Sequence, residues 1–345
     1  MAKEAWYINE SELDDYQVQI IRRSLTSSFI VKGCAGSGKT VLALWRAKEL
    51  SEQGVSSYLV IVFTKALKQF IQDGIHAIGV DESKVMYHWE WLHNGRPSAD
   101  YIIIDEVQDF SREELQQLRD SARKHLILFG DSAQQVYAEM KDDLMTMEEI
   151  QVMTGIPMEN LVKNHRLPKK IAKFAEELSS GVDPLAQRCY KEGPSKPIIM
   201  KCGSLLEQIE AIRQIVQSQR YTDVGILFAS NIDVQFAKDA CTKMGWKVEA
   251  KIGYGRDSME LNFTTTNPKL MTYHSSKGLQ FEAVFIPNCH NYEDYLRNPL
   301  YVAATRTYRY LYLMYTGEMA SVFRNIPPSL VEKISYNKKV PQAPF

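Results

Sequence analysis

The segment Gly33-Cys34-Ala35-Gly36-Ser37-Gly38-Lys39-Thr40 constrains this chain more than any other. It follows the apolar run Phe29-Ile30-Val31 and opens a stretch of helical period, Thr40–Gln53. The pattern G-x-x-x-x-G-K-[ST] between a strand and a helix is a phosphate cradle. Gly33, Gly36 and Gly38 let successive backbone N–H groups curl around an anion, and the helix N-terminus adds a favourable dipole. Lys39 is expected to reach the β- and γ-phosphates of a nucleotide, and the Thr40 hydroxyl to ligate Mg²⁺. Cys34 reads as a small filling residue; the sharper alternative is a thiol made modifiable by helix-terminus polarity.

The rest of the chain continues the same alternation. Strands are predicted at Ser28–Lys32, Tyr58–Phe63, Tyr101–Asp105 and Leu126–Gly130, then at Ile198–Cys202, Asp223–Phe228, Lys269–Tyr273, Ala283–Pro287 and Tyr310–Tyr315. Strands this apolar are buried on both faces, as parallel sheets require. Helices are predicted at Leu205–Gln219, where Leu205, Ile209, Ile212 and Val216 form one stripe, and at Asn231–Met244, stopped by Gly245. The fold class is therefore α/β with mostly parallel sheets. The 345 residues suit two domains of roughly 150 residues each. The expected division is 1–155, 156–333 and a polar tail over 334–345.

Composition narrows the class without naming it. Forty-one basic against 42 acidic residues give a net charge of −1, with 45% hydrophobic residues, which excludes a disordered or supercharged chain. Near-zero charge leaves nucleic-acid binding open, since a basic groove can sit on a neutral protein. No apolar stretch approaches the ~18 residues of a membrane span, and the start lacks a basic-then-apolar leader. The 5 cysteines are odd in number with no C-x-x-C spacing, and so read as free thiols of a reducing compartment. A cytoplasmic location is expected. The 7 histidines show no metal-ligand spacing.

A second chemical feature is the run Tyr101-Ile102-Ile103-Ile104-Asp105-Glu106, an apolar strand that delivers two carboxylates at its C-terminal tip. Open α/β sheets bind ligands there. Asp105 is expected to hold Mg²⁺ through water, and Glu106 to position or deprotonate an attacking water, so the implied reaction is hydrolysis rather than kinase-type transfer.

The continuation Asp105-Glu106-Val107-Gln108-Asp109 resembles motif II of superfamily 1 helicases of the UvrD/Rep/PcrA type, and further motifs follow in order. Leu13-Asp14-Asp15-Tyr16-Gln17 is similar to their adenine-reading Q-motif. Phe63-Thr64 resembles motif Ia, and Tyr87-His88-Trp89 the segment after it. Gly130-Asp131-Ser132-Ala133-Gln134 resembles motif III, and Asn164-His165-Arg166 motif IV. His274-Ser275-Ser276-Lys277-Gly278-Leu279-Gln280-Phe281 resembles motif V, and Val302-Ala303-Ala304-Thr305-Arg306 motif VI.

The resemblance implies two RecA-like domains using ATP and Mg²⁺. It assigns Gln17 to adenine, Gln134 to γ-phosphate coupling, His165 to stacking on the base, and Gly278 and Gln280 to the nucleotide side of motif V. Arg166 and Arg306 become arginine fingers supplied by the second domain. Phe63, Thr64, His88 and Ser275 become contacts to single-stranded nucleic acid, DNA ahead of RNA. Lys163, Arg166, Lys169, Lys170 and Lys173 read either as a basic face or as solvated helix charge. Trp89 and Trp91 read as base-stacking or core residues. Tyr308, Tyr310 and Tyr312 read as sheet packing.

Departures from the family matter as much. About 35 residues separate Thr64 from Asp100 and about 20 separate Val248 from Lys269, too few for the family's folded inserts. Ala138-Glu139-Met140-Lys141 stands where an aromatic and Arg-Gly are usual, and Glu139 would repel a phosphate backbone. Val41 replaces an arginine beside adenine, and Gln280 the usual glutamate. The resulting expectation is an ATPase that translocates on or remodels single strands, 3′→5′, with weak unwinding of its own and no membrane role. A protein partner is expected to supply duplex-splitting or nuclease function. The alternative is a nucleotide-dependent switch working through a protein partner.

Overall fold

Apolar runs become parallel strands throughout the computed structural model, which describes residues 7, 9–135, 137, 141–179, 184–253, 261–290 and 293–336. The first sheet comprises β1 (Phe29–Gly33), β2 (Tyr58–Val62), β3 (Val85–Tyr87), β4 (Ala99–Ile104), β5 (Ala122–Gly130) and β6 (Met158–Leu161). Their order is β3-β2-β4-β5-β1-β6, with every neighbouring pair parallel. Every residue of β2 is buried, and Ile102, Ile103 and Ile104 of β4 are wholly so. That is the demand of a parallel sheet covered by helices on both faces. Only β5 separates β1 from β4, so the loops leaving β1, β4 and β5 lie side by side at the carboxyl edge of the sheet.

The second sheet comprises β7 (Ile198–Lys201), β8 (Val224–Phe228), β9 (Glu249–Ala250), β10 (Lys269–Thr272), β11 (Phe281–Ile286), β12 (Thr307–Tyr315) and β13 (Glu332–Ser335). Its order is β13-β7-β12-β11-β8-β10-β9, again all parallel. Ile209, Ile212 and Val216 of the helix Leu205–Gln219 pack with Ile226, Phe228 and Phe285. The helix Asn231–Lys243 starts at Ser230, whose Oγ accepts the Asp233 N–H at 3.2 Å, and ends before Gly245 at φ +64°.

The chain separates into two compact units, one ending at His165 and one beginning at Arg166. Strand β6 pairs with β1 and so belongs to the first unit. Strand β13 pairs with β7 and runs into the stretch read as a polar tail; 337–345 lie outside the described residues. The α/β class with two mostly parallel sheets is the one expected. Among the described residues, no helix is long and apolar enough to cross a membrane.

Candidate nucleotide site

The loop after β1 turns through two left-handed glycines, Gly36 at φ +76° and Gly38 at φ +90°. Each of its backbone carbonyls has a donor. Lys39 Nζ donates to the oxygens of Gly33 (2.8 Å) and Cys34 (3.3 Å). The side chain of Asn164 donates to Ala35, the His165 N–H to Gly36 (3.0 Å), Gln17 Nε2 to Ser37 (3.2 Å) and the Leu42 N–H to Gly38 (2.9 Å). Tying the carbonyls outward is what orients the intervening N–H groups toward an anion. A Cβ on Gly33 would run into the Ser37 side chain, so the loop fits this close only with glycine there. Cys34 is buried, with its four fellow cysteines also free thiols.

At the end of β4, Asp105 is fully buried and accepts the Thr40 hydroxyl at 2.6 Å. The next residue, Glu106, is left-handed (φ +57°), which throws its carboxylate off the strand line. Gln108 Nε2 donates to Glu106 Oε2 at 2.6 Å, and Gln108 Oε1 accepts the Asp131 N–H at 2.9 Å. Asp131 Oδ2 in turn accepts Gln134 Nε2 at 2.7 Å. Glu106 and Gln134 are thus joined through Gln108 and Asp131, two motif residues given no role of their own from the sequence. Burial, and then the neighbouring Glu106 charge, push the Asp105 carboxyl up to about 7. Divalent charge at this place would offset that desolvation. A hydroxyl and a carboxylate, both hard oxygen donors beside a phosphate loop, fit Mg²⁺.

Asp14, part of the Q-motif segment but given no role of its own from the sequence, is the other organiser. It caps the helix Asp15–Ile21 by accepting the Gln17 N–H at 2.9 Å, while its own N–H donates to Gln17 Oε1 at 3.0 Å. Its Oδ2 also faces His165 Nε2 (3.3 Å) and Lys163 Nζ (3.5 Å). Burial opposes ionisation, but the Gln17 N–H, Lys163 and His165 hold this carboxyl below its usual range. The segment 163–165 thereby joins both the loop and the Q-motif helix within the first unit.

The residues expected to meet nucleic acid are arranged differently. Phe63 packs edge-on to Phe110 (5.1 Å between centroids) and is covered by Lys141 Nζ at 4.8 Å. His88 is buried between Phe63 and Trp91, and Thr64 caps the helix Lys65–Phe70 through the Leu67 N–H. Trp91 is a core residue with Nε1 on the Pro97 carbonyl, whereas Trp89 stacks on His93 at 3.6 Å. Glu139, with Ala138 and Met140, lies outside the described residues.

In the second unit, Ser275 sits on a short turn after β10, its N–H on Thr272 Oγ1, with Gly278 (φ +79°) and half-buried Gln280 following. Arg166 donates to the Thr305 carbonyl (3.0 Å), and Arg306 Nη2 to Thr305 Oγ1 (3.1 Å), so one threonine gathers both arginines. Arg306 is buried, its Nε on the Val302 carbonyl. The basic run divides: Lys163 belongs to the first unit, and Lys169 in the second pairs with Glu192. The tyrosines pack in the sheet, Tyr312 against Tyr221 with hydroxyls 3.0 Å apart.

A phosphate loop tied to a buried carboxylate pair at the carboxyl edge of a parallel sheet defines a P-loop nucleoside triphosphatase. A family model described as an AAA domain matches residues 12–193, more than half the chain, and one described as the UvrD-like helicase C-terminal domain matches residues 269–314. The chain belongs to the AAA-domain family, with a core of the UvrD-like, superfamily 1 helicase type, and is a helicase-family ATPase. Among solved structures, the C-terminal domain of a possible DNA helicase from Lactobacillus plantarum WCFS1 is 19% identical over 49% of this chain and 98% of its own, at a TM-score of 0.39. The PRRSV helicase is 17% identical over 90% of this chain and 55% of its own, at a TM-score of 0.48. Likenesses at this level carry no argument about activity. No curated protein sequence matches the chain.

Proposed function

We propose that this chain couples ATP hydrolysis to movement along, or remodelling of, single-stranded nucleic acid, DNA ahead of RNA and 3′→5′, with little capacity to split a duplex alone. The observation that carries the reading is the 2.6 Å hydrogen bond from Thr40 to Asp105, with Glu106 adjoining it and Gln134 linked to Glu106 through Gln108 and Asp131. In this reading Lys39 leaves the loop carbonyls for the phosphates, and Gly33, Gly36 and Gly38 present backbone N–H groups to them. Glu106 takes the proton of the attacking water, and Gln134 relays the state of the γ-phosphate. Mg²⁺, held by Thr40 and Asp105, would neutralise charge on the phosphate oxygens. Arg166 and Arg306 are assigned to charge that develops during transfer, with Gly278 and Gln280 alongside the nucleotide.

Phe63, Thr64 and Ser275 remain the proposed strand contacts; His88, buried between Phe63 and Trp91, would have to be uncovered to join them. Weak unwinding is supported by the connection from Thr64 to Asp100, which holds only short helices and β3. The deciding experiment is ATP turnover by the purified chain with and without single-stranded DNA and RNA, Lys39→Ala serving as control. Stimulation by a polymer is expected, larger with DNA; turnover indifferent to both would sink the motor reading. Robust unwinding of a tailed duplex would overturn the proposal of weak unwinding.

A further inference from the structure

We infer that Lys141 is a phosphate-binding residue for single-stranded nucleic acid, parked on Glu114 across the ring of Phe63 until a strand takes the carboxylate's place. This rests on the reading above that Phe63 contacts the strand.

Lys141 gathers three groups around one ammonium. Its Nζ donates to Glu114 Oε2 at 2.6 Å and to the Asp109 carbonyl at 3.3 Å, and stands 4.8 Å from the centre of the Phe63 ring. Phe63 directly follows β2, and Asp109 ends the short turn Val107–Asp109 after β4, the neighbouring strand of the sheet. The ammonium therefore lies at the carboxyl edge, over a face of the ring where a base would stack. A cation beside an aromatic is the pairing that single strands require, since the base stacks while the adjoining phosphate meets the charge.

Glu114 is a replaceable partner. Burial works against its charge, yet Lys141 and the Ser111 N–H hold its carboxyl below the usual range, so an oxyanion faces the ammonium at neutral pH. The Lys141 and Glu114 side chains remain 28% and 24% exposed, and a pair open to water holds little net energy. A phosphodiester oxygen is an acceptor of the same sign of charge. Exchanging one for the other leaves the ammonium paired, and drawing it off Phe63 opens the ring to a base. Glu114 keeps a second task after the exchange: Oε2 also accepts the Ser111 N–H at 2.8 Å, closing the cap of the helix Arg112–Ser121.

The test is binding of fluorescein-labelled oligo(dT) and oligo(U) to the full chain at several salt concentrations, for wild type, Lys141→Gln and Glu114→Gln. Thermal midpoints are followed in parallel. Lys141→Gln is expected to weaken binding about fivefold and to flatten the slope of log affinity against log salt by about 0.7, one single-strand phosphate contact. Glu114→Gln retains the helix cap and is expected to tighten binding about threefold, because the competing carboxylate is gone. A purely structural Lys141 would lower the thermal midpoint of Lys141→Gln and leave its salt slope, and the affinity of Glu114→Gln, at wild-type values; that result overturns the inference. If Lys141→Gln does not fold, Glu114→Gln decides, since unchanged or weaker binding overturns it as well. Wild-type binding with unaltered variants counts against Lys141 alone, whereas binding of neither strand by wild type overturns the motor reading too.

Discussion

Thr40 and Asp105, far apart in sequence, share a 2.6 Å hydrogen bond that ties the first turn of the phosphate-loop helix to the tip of β4. It buries a carboxyl that burial and Glu106 push up to about 7, against 3.8 for an ordinary aspartate. Between about pH 4 and 7 the folded chain keeps a proton that the unfolded chain has lost. Stability from this group therefore falls as pH rises through that window, and the loss is complete above it.

Asp105→Asn removes the charge and keeps the shape. In chelator, the variant is expected to melt above wild type at pH 8, the gain shrinking toward pH 4, while ATP turnover drops by about 10²-fold or more. Calorimetry across pH checks the first half, and steady-state hydrolysis the second. A variant no more stable than wild type at pH 8 would refute the burial argument.

His88 makes the opposite pH prediction. It sits edge-on to Phe110 at 4.8 Å and 6.2 Å from Trp91, and its Nε2 is buried without a hydrogen-bond partner among the described residues. Burial lowers its pKa from 6.5 to about 4, although Glu114, 3.8 Å away, pulls the other way. As pH falls through that interval the unfolded chain takes a proton that the folded chain refuses, so stability is lost toward acid. Urea unfolding is expected to show a loss on the order of 2 kcal/mol from this residue between pH 7 and pH 5, and His88→Phe to flatten that limb. Parallel pH profiles for the two proteins would show the assignment to be wrong.

Arg46 is a fully buried cation on the phosphate-loop helix, and it holds the end of the Q-motif helix. Its Nη1 donates to the carbonyls of Ile21 and Arg23, both at 2.7 Å, and Nη2 to that of Ser24 at 3.1 Å. Arg46→Met would leave those carbonyls beside a thioether, at a cost of about 3–5 kcal/mol, and Arg46→Lys should recover part of it. Chemical denaturation of the three proteins measures this directly. Equal midpoints would mean that the carbonyls find other donors.

The phosphate loop and the acidic tip of β4 were legible because their constraints are local: glycines at fixed offsets, an apolar run, a lysine, two carboxylates. The interior strands were legible for the same reason. The strands that escaped sequence reading, β3, β6, β9 and β13, are the four edges of the two sheets. Edges are short or polar, as in Glu159 and Asn160 of β6 or Glu332 and Lys333 of β13, and such composition is how edges avoid unwanted pairing. The roles of Asp14, Asn164 and Arg46 escaped differently. Asn164 and Arg46 donate to backbone carbonyls, and Asp14 accepts the Gln17 N–H and faces Lys163 and His165; these partners are brought near only by the finished fold, and no residue type marks which backbone group will need one. Gln17 was found by pattern, yet its hydrogen bonds to Asp14 and Ser37 were not visible there.

Gly38 and Gly54 separate backbone strain from the geometry of the site. Both are left-handed, at φ +90° and φ +80°. A Cβ on Gly38 would meet Gln17 Nε2 at 2.9 Å, whereas a Cβ on Gly54 would meet nothing within 4 Å. Alanine at either position forces an L side chain into the left-handed region, costing about 1–2 kcal/mol. Similar drops in thermal midpoint are therefore expected. Nucleotide affinity should part them: Gly38→Ala displaces the amide that holds Ser37 and is expected to weaken ATP binding by about tenfold or more, while Gly54→Ala leaves it unchanged. If Gly38→Ala binds nucleotide as well as Gly54→Ala does, the Gln17 amide does not shape the loop.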